Sequence, residues 1–188
     1  MTLTNNIMIL IGLTGKKRSG KDTVAACIQT YFEKQGKSIQ IEAFARPIKD
    51  ILNQVFHIED ETIELDKEVP IQRWGDRSPR VLMQSIGDVL RGIDEDIFIK
   101  HMQHRIQTSN ADIFIISDIR FANEADLIQR DQGGMIWCID AGLRIGTSKD
   151  THKTEKGIPS QYYDYTVYNN ESQDKLSNEV YRILNETF

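Results

Sequence analysis

The chain has 188 residues, 39% of them hydrophobic and 27% charged, with 4 prolines and a formal net charge of −5. That is about one domain's worth of chain with enough apolar residues for a core, and no apolar run approaches the ~20 residues that cross a bilayer. The acidic balance excludes a broad basic face for a long nucleic-acid tract.

Met1–Asn6 is polar and uncharged, without the basic start of a secretory signal. Ile7–Leu13 is continuously apolar and reads as a first, fully buried strand. Gly15-Lys16-Lys17-Arg18-Ser19-Gly20-Lys21-Asp22-Thr23 follows, then a helical pattern over Lys21–Gln35 that Gly36 closes. Alternation over Ser38–Phe44 gives a second strand, so the first forty-odd residues form a strand–helix–strand unit with parallel pairing. A helix starts at Pro47, with Ile48, Ile51, Leu52 and Val55 on its apolar side.

From His57 to Pro79 periodicity falls and charge rises, as in a mobile insert or a small subdomain. Its Arg73-Trp74-Gly75 suits either a stacking or anion site or a surface loop anchored by one Trp. Helical spacing returns over Arg80–Arg91 and again over Glu95–Thr108. Asp112–Ser117 is another buried strand, Phe121–Asp131 a helix, and Met135–Asp140 a strand. Ala141–Tyr163 has the polar, glycine-containing look of a flap; Asp164–Tyr168 and a final helix complete the chain. Cys27 and Cys138 sit inside apolar patterns and read as buried small hydrophobes, which suits a reducing cytoplasm. The expected fold is α/β, three layers with a mostly parallel sheet of about five strands.

The stretch Gly15–Thr23 carries the sharpest chemistry. Two glycines with four residues between them, then a lysine, let backbone N–H groups close around an anion at a helix N-terminus. Lys21 would reach the β- and γ-phosphates of a nucleotide. Asp22 stands where a Ser or Thr usually holds Mg²⁺, and Thr23 follows it, so either residue is a candidate metal ligand. In sheets of this kind ligands collect beyond the carboxyl ends of the strands. Asp118 follows an apolar strand and suits an acid that holds Mg²⁺ through water; the alternative is a cap for the helix near Phe121. Arg46, Arg80, Arg91, Arg120 and Arg144 fall in loops or at helix ends, and their planar forks suit phosphate oxygens. His152 and Glu155 in the flap read as orienting groups, and the four histidines have no zinc-type spacing.

Several of these pieces together resemble the bacteriophage-type deoxynucleoside monophosphate kinases. The resemblance rests on Lys17-Arg18-Ser19-Gly20-Lys21-Asp22, on Pro47-Ile48-Lys49, and on Arg80-Val81-Leu82-Met83-Gln84-Ser85-Ile86-Gly87. It continues at Ser117-Asp118-Ile119-Arg120 with Glu124, and at Thr151-His152-Lys153-Thr154-Glu155-Lys156-Gly157-Ile158-Pro159. It implies a single P-loop kinase domain of the nucleoside monophosphate kinase type over residues 1–188. This would comprise a core, an acceptor-binding insert near 45–110 and a lid near 141–163.

Its implied activity is transfer of the γ-phosphoryl group of ATP, with Mg²⁺, to a (deoxy)nucleoside 5′-monophosphate. Gly15, Lys16, Lys17, Arg18, Ser19, Gly20, Lys21, Asp22 and Thr23 would hold ATP, and Asp22, Thr23 and Asp118 the metal. Arg46, Lys49, Arg80, Gln84, Asp88, Arg91, Phe98, Asp118, Arg120, His152 and Glu155 would face the acceptor, Phe98 in place of the family's stacking Trp. Lys21, Arg18, Arg120, Asp118 and Arg144 would be catalytic. The implied partners are ATP and a deoxynucleoside monophosphate, with no nucleic acid and no membrane. A homodimer, the preferred base and deoxy-against-ribo selectivity stay open. Animal-type phosphomevalonate kinase shares a similar loop, Arg-Trp-Gly and Ser-Asp-x-Arg. A nucleotide-binding regulatory protein of the same fold is the alternative from another class.

Overall fold

A computed structural model describes residues 8–142 and 157–188. Its five strands are β1 (Ile9–Thr14), β2 (Ile39–Glu42), β3 (Ile113–Ile119), β4 (Met135–Asp140) and β5 (Tyr165–Tyr168). They form one sheet in the order β2-β3-β1-β4-β5, and every pairing is parallel. A parallel sheet needs a crossover between successive strands, and the long stretches between these strands supply it.

The chain divides into two compact units. One comprises Met1–Ala43 with Arg105–Phe188 and contains the whole sheet; the other is Phe44–His104. In the sheet unit, α1 (Lys21–Glu33) and α7 (Gln173–Thr187) pack on one face. Ile11, Leu13, Ile113, Ile115, Trp137, Ile139 and Val167 from the strands meet Val24, Ile28 and Phe32 of α1 and Leu176, Val180 and Ile183 of α7. The opposite face is covered near Gly12 by Ile128, whose Cδ1 would lie 2.9 Å from an added Cβ. Ile128 belongs to a π-helical turn, Leu127–Asp131, that continues the short helix α6 (Ala122–Asp126). Helices on both faces make the three-layer arrangement expected of continuously apolar parallel strands.

In the Phe44–His104 unit, α2 (Arg46–Phe56) starts with Pro47 in its first turn and ends at His57, which takes a left-handed conformation. α4 (Pro79–Ile93) starts at Ser78, whose hydroxyl accepts from the Val81 N–H, with Pro79 in the first turn. The helices α2 and α4 approach closely where Gly87 leaves only 3.2 Å between an added Cβ and Ile48 Cδ1.

The stretch expected to be irregular contains α3 (Asp60–Leu65), opened by two acidic residues, and a 3₁₀ turn over Gln72–Trp74. The Arg73 guanidinium donates to Phe56 O and His57 O at 2.8 and 3.0 Å, satisfying carbonyls at the end of α2. Trp74 packs edge-on against Phe56, so Arg73-Trp74-Gly75 closes this unit's own structure. α5 (Ile97–Thr108) follows.

Two boundaries differ from expectation. β3 runs on to Ile119, so Asp118 is a strand residue, because pairing with β1 continues past the apolar run. The helix expected over Phe121–Asp131 is α-helical only to Asp126. Both cysteines are free thiols, Cys27 buried and Cys138 half-buried. Among the described residues no helix is long and apolar enough to cross a membrane.

Candidate active site

β1 ends at Thr14, and the chain then turns through Gly15–Gly20 into α1. Three residues of this turn have positive φ: Gly15 at 141°, Arg18 at 62° and Gly20 at 100°. A side chain on Gly15 would meet a main-chain obstacle, since its Cβ would lie 2.4 Å from Ile139 O in β4. The Ser19 N–H donates to Lys16 O at 3.1 Å, and Lys21 Nζ reaches back to Gly15 O at 3.0 Å and Lys16 O at 2.9 Å. The lysine therefore draws the start of the loop over the first turn of α1. Backbone amides at that turn have no intrahelical acceptor and carry the positive end of the helix dipole.

The residues present fit a nucleotide's phosphates. Ser19 is 0% exposed, and its Oγ is a buried hydroxyl without a partner among the described residues. Lys16, Lys17, Arg18 and Lys21 concentrate positive charge around that loop. Asp22 and Thr23 occupy the first turn of α1, exposed and half-buried respectively. Among the described residues no three His, Cys, Asp or Glu side chains gather as a metal cage. Mg²⁺ on a nucleotide needs only one or two protein oxygens beside phosphate and water, which Asp22, Thr23 and Asp118 can supply.

Strand register brings a second segment to the same edge of the sheet. Thr14 pairs with Ile119, and its hydroxyl donates to Ile119 O at 3.0 Å. Asp118–Arg120 thus lies at the end of the strand beside the loop. The Arg120 and Phe121 N–H groups both donate to Glu124 Oε2, at 2.8 and 3.1 Å, so this buried carboxylate caps the chain's entry into α6. Capping here falls to Glu124, a residue that sequence reasoning named only as part of a resemblance. On the far side of β1, Thr14 pairs with Cys138 of β4, and burial pushes the Cys138 thiol up.

Arg46, Lys49, Arg80, Gln84, Asp88, Arg91 and Phe98 all belong to the Phe44–His104 unit. Arg80, Gln84, Asp88 and Arg91 share one stripe of α4 by their helical spacing. Three of the basic groups are ion-paired within this unit. Arg46 holds Asp60 at 2.7 Å and Asp50 at 2.8 Å, Lys49 holds Glu64 at 2.5 Å, and Arg80 holds Glu68 at 2.6 Å. The hydrogen bond that Arg46 donates keeps the Asp60 carboxyl below its ordinary range, and the same bond raises Arg46. Burial pushes Glu64 up, but the hydrogen bond and charge of Lys49 outweigh it and the net shift is downward.

Phe98, expected to stack on a base, is 4% exposed, and the Arg91 guanidinium lies 4.6 Å above its ring. A base could use that face only by displacing the arginine. Arg144, His152 and Glu155, and with them most of the expected lid, lie outside the described residues. Sequence reasoning missed Asn169, whose side-chain amide donates to Ser19 O at 2.8 Å. The only signal was Asn169-Asn170 after β5, which reads as a turn.

Comparison with known proteins gives one consistent result. A family model described as deoxynucleotide monophosphate kinase matches residues 9–74 and 63–180. A protein of Acanthamoeba polyphaga mimivirus, provisionally named a deoxynucleotide monophosphate kinase, is 34% identical over 191 residues, covering 92% of this chain and 94% of that protein. Deoxynucleoside-5′-monophosphate kinase of Escherichia phage T5 is 28% identical over 111 residues, 55% of this chain and 44% of the phage protein. Among solved structures, TT1252 from Thermus thermophilus superposes with a TM-score of 0.53 at 17% identity, covering 96% of this chain and 98% of that one. Dephospho-CoA kinase from Campylobacter jejuni gives 0.50 at 13% identity, covering 96% and 97%. At such identities these two structures speak for the fold alone.

Proposed function

The chain belongs to the deoxynucleotide monophosphate kinase family, and from that membership we propose that it moves the γ-phosphoryl group of ATP to a deoxynucleoside 5′-monophosphate. The observation that carries this reading is the loop from Gly15 to Thr23. It combines positive-φ glycines, a buried hydroxyl without a partner among the described residues, and a lysine folded over the turn at the start of α1.

Phosphoryl transfer asks the protein for positioning and charge neutralisation and for little covalent chemistry. In this reading Gly15–Thr23 holds the donor phosphates, and Lys21 exchanges two carbonyl acceptors for phosphate oxygens. The exchange replaces neutral acceptors with charged ones, which strengthens each hydrogen bond. Arg18, Arg120 and Arg144 are further cations for the charge that develops on the transferred group. Mg²⁺ would supply additional charge neutralisation, held through Asp22 or Thr23 and Asp118.

The acceptor phosphate falls to Arg46, Lys49 and Arg80, with Gln84, Asp88 and Arg91 on the same stripe of α4. His152 and Glu155 would join them on the acceptor side. Asp60, Glu64 and Glu68 now hold the three cations, so a dianionic phosphate has to displace these carboxylates. An exposed ion pair is worth about 0–1 kcal/mol, small enough for a bidentate phosphate contact to overcome. Phe98 has a packing role in this scheme.

The test is ADP release with MgATP and each of the four common deoxynucleoside monophosphates, with mevalonate 5-phosphate as a control acceptor. Turnover of at least one deoxynucleotide and none of mevalonate 5-phosphate is expected. Turnover of mevalonate 5-phosphate alone, or ATP binding without any acceptor turnover, would refute the proposal.

A further inference from the structure

Asn169 has no role in the scheme above, yet it is tied to the phosphate loop from 150 residues away in the chain. Its position is set by the sheet. The Asn169 N–H donates to Asp140 O at 2.7 Å, just past the Asp140–Tyr168 pair of β4 and β5. From there its side-chain Nδ2 donates to Ser19 O at 2.8 Å, with Asn169 only 6% exposed and Ser19 wholly enclosed.

That one hydrogen bond fixes the rotation of the Ser19–Gly20 peptide. In a planar trans peptide the C=O and the N–H point in opposite directions. Holding the Ser19 carbonyl toward Asn169 therefore turns the Gly20 N–H the other way. This amide belongs to the set at the opening of α1 that no helical carbonyl can satisfy, the set an anion takes. The fit is reciprocal. Gly20 sits at φ 100°, and a Cβ there would lie 2.2 Å from Asn169 Nδ2. Asn169 reaches the carbonyl because position 20 has no side chain.

We propose that Asn169 is a positioning residue for the phosphate loop: by holding the Ser19 carbonyl it keeps the Gly20 amide directed at the donor phosphates. It sets affinity for the triphosphate without touching it. The inference rests on reading this loop as the ATP site. A buried asparagine that merely braced the sheet would change stability and leave nucleotide affinity alone, and this difference is the test.

Wild type, Asn169→Ala and the isosteric Asn169→Asp are titrated calorimetrically with Mg²⁺ and a non-hydrolysable ATP analogue, beside steady-state kinetics. The alanine variant is expected to weaken analogue binding about five- to tenfold, the loss of roughly one hydrogen bond. The aspartate variant, which sets a carboxylate against the carbonyl, is expected to weaken it further. KM for the deoxynucleoside monophosphate at saturating ATP stays within twofold in this account. Gly20→Ala costs less affinity in the Asn169→Ala background than in wild type, because the colliding amide is gone.

Analogue affinity equal to wild type in both variants, whatever happens to the melting temperature, overturns the proposal while the ATP reading stands. A wild-type protein that fails to bind the analogue overturns both. NMR of the unmutated protein gives a measurement independent of how the variants fold. The Asn169 side-chain amide protons should be protected from exchange with and without analogue, and the Gly20 amide should shift when analogue binds. Rapid exchange of those side-chain protons in the free protein also overturns the proposal.

Discussion

Glu124→Ala should damage the site through the main chain of Arg120. Glu124 is 3% exposed, and its Oε2 alone accepts from the Arg120 and Phe121 N–H groups at 2.8 and 3.1 Å. Hydrogen bonds to a charged group contribute about 1.5–3 kcal/mol each, and truncation leaves two half-buried donors to find water. Allowing for that water, the expected cost is about 3 kcal/mol, or ~6–12 °C in melting temperature for a chain of this size. Glu124→Gln is the control. Its single amide oxygen can occupy the Oε2 position and accept both main-chain bonds, so these two lose their charge assistance and are kept, at a cost of about 1 kcal/mol. Urea unfolding gives the stabilities, and initial rates at a temperature where all three proteins are folded give kcat. A drop in kcat of about tenfold or more is expected for the alanine variant, the scale of a misplaced transition-state cation. An alanine variant that melts within 2 °C of wild type and turns over normally would show that Arg120 is held by other contacts and that this reasoning is wrong.

Lys21→Ala should lower kcat by ~10²-fold or more while the melting temperature barely changes, since the lysine donates to neutral carbonyls of its own loop; near-normal turnover would assign the β- and γ-phosphates to another group. Asp60→Asn should lower KM for the acceptor about threefold, because Arg46 is released from a pair worth ~0.6 kcal/mol; an unchanged or raised KM would remove Arg46 from acceptor binding. The same variant has a defined pH signature. The Asp60 carboxyl lies below its ordinary range when folded, held first by the Arg46 hydrogen bond and then by that of Asn53. Its contribution is therefore present above the ordinary carboxylate range and lost as pH falls through the folded value. The side chains are 44% and 45% exposed, so the stability difference from wild type should stay below about 1 kcal/mol at pH 7 and close in acid. Phe98→Leu, which largely keeps the packing volume, should leave acceptor KM within twofold, whereas Phe98→Ala should cost about 3–5 kcal/mol of stability; a tenfold rise in KM for the leucine variant at wild-type stability would restore Phe98 as the platform for the base.

How much of this was legible in the chain follows from the range of the forces involved. The continuous apolar run in Met135–Asp140 gives the boundaries of β4 to the residue, and the glycine spacing of Gly15–Thr23 gives the turn into α1. Both are local signals that burial or backbone geometry writes into neighbouring residues. β3 was harder because hydropathy falls at Ser117-Asp118, where the register with β1 shifts; the strand extends past them because Ile119 pairs with Thr14, about a hundred residues away in the chain. α3 was missed because six residues carry too little periodicity to stand out from a charged stretch.

The cations of the insert show why a site is less legible than a fold. Arg46 and Arg80 stand out as candidate phosphate ligands by side-chain chemistry, and Lys49 only through the resemblance. Their present partners do not stand out, because Asp60, Glu64 and Glu68 lie 14, 15 and 12 residues away and opposite charge at that separation carries no pattern. The pairing changes the physical problem. Binding of an anion here is an exchange between two sets of oxygens, so its affinity is a difference and not a sum. Each exposed carboxylate contributes little to folding, and the pairs nonetheless set a threshold that a ligand's charge must exceed. A dianionic phosphate can replace a carboxylate at each cation with shorter, charge-assisted bonds, whereas a singly charged or neutral group loses as much as it gains. If these cations hold the acceptor as proposed, selection for the charge of its phosphate arises from the acids beside them as much as from the cations themselves.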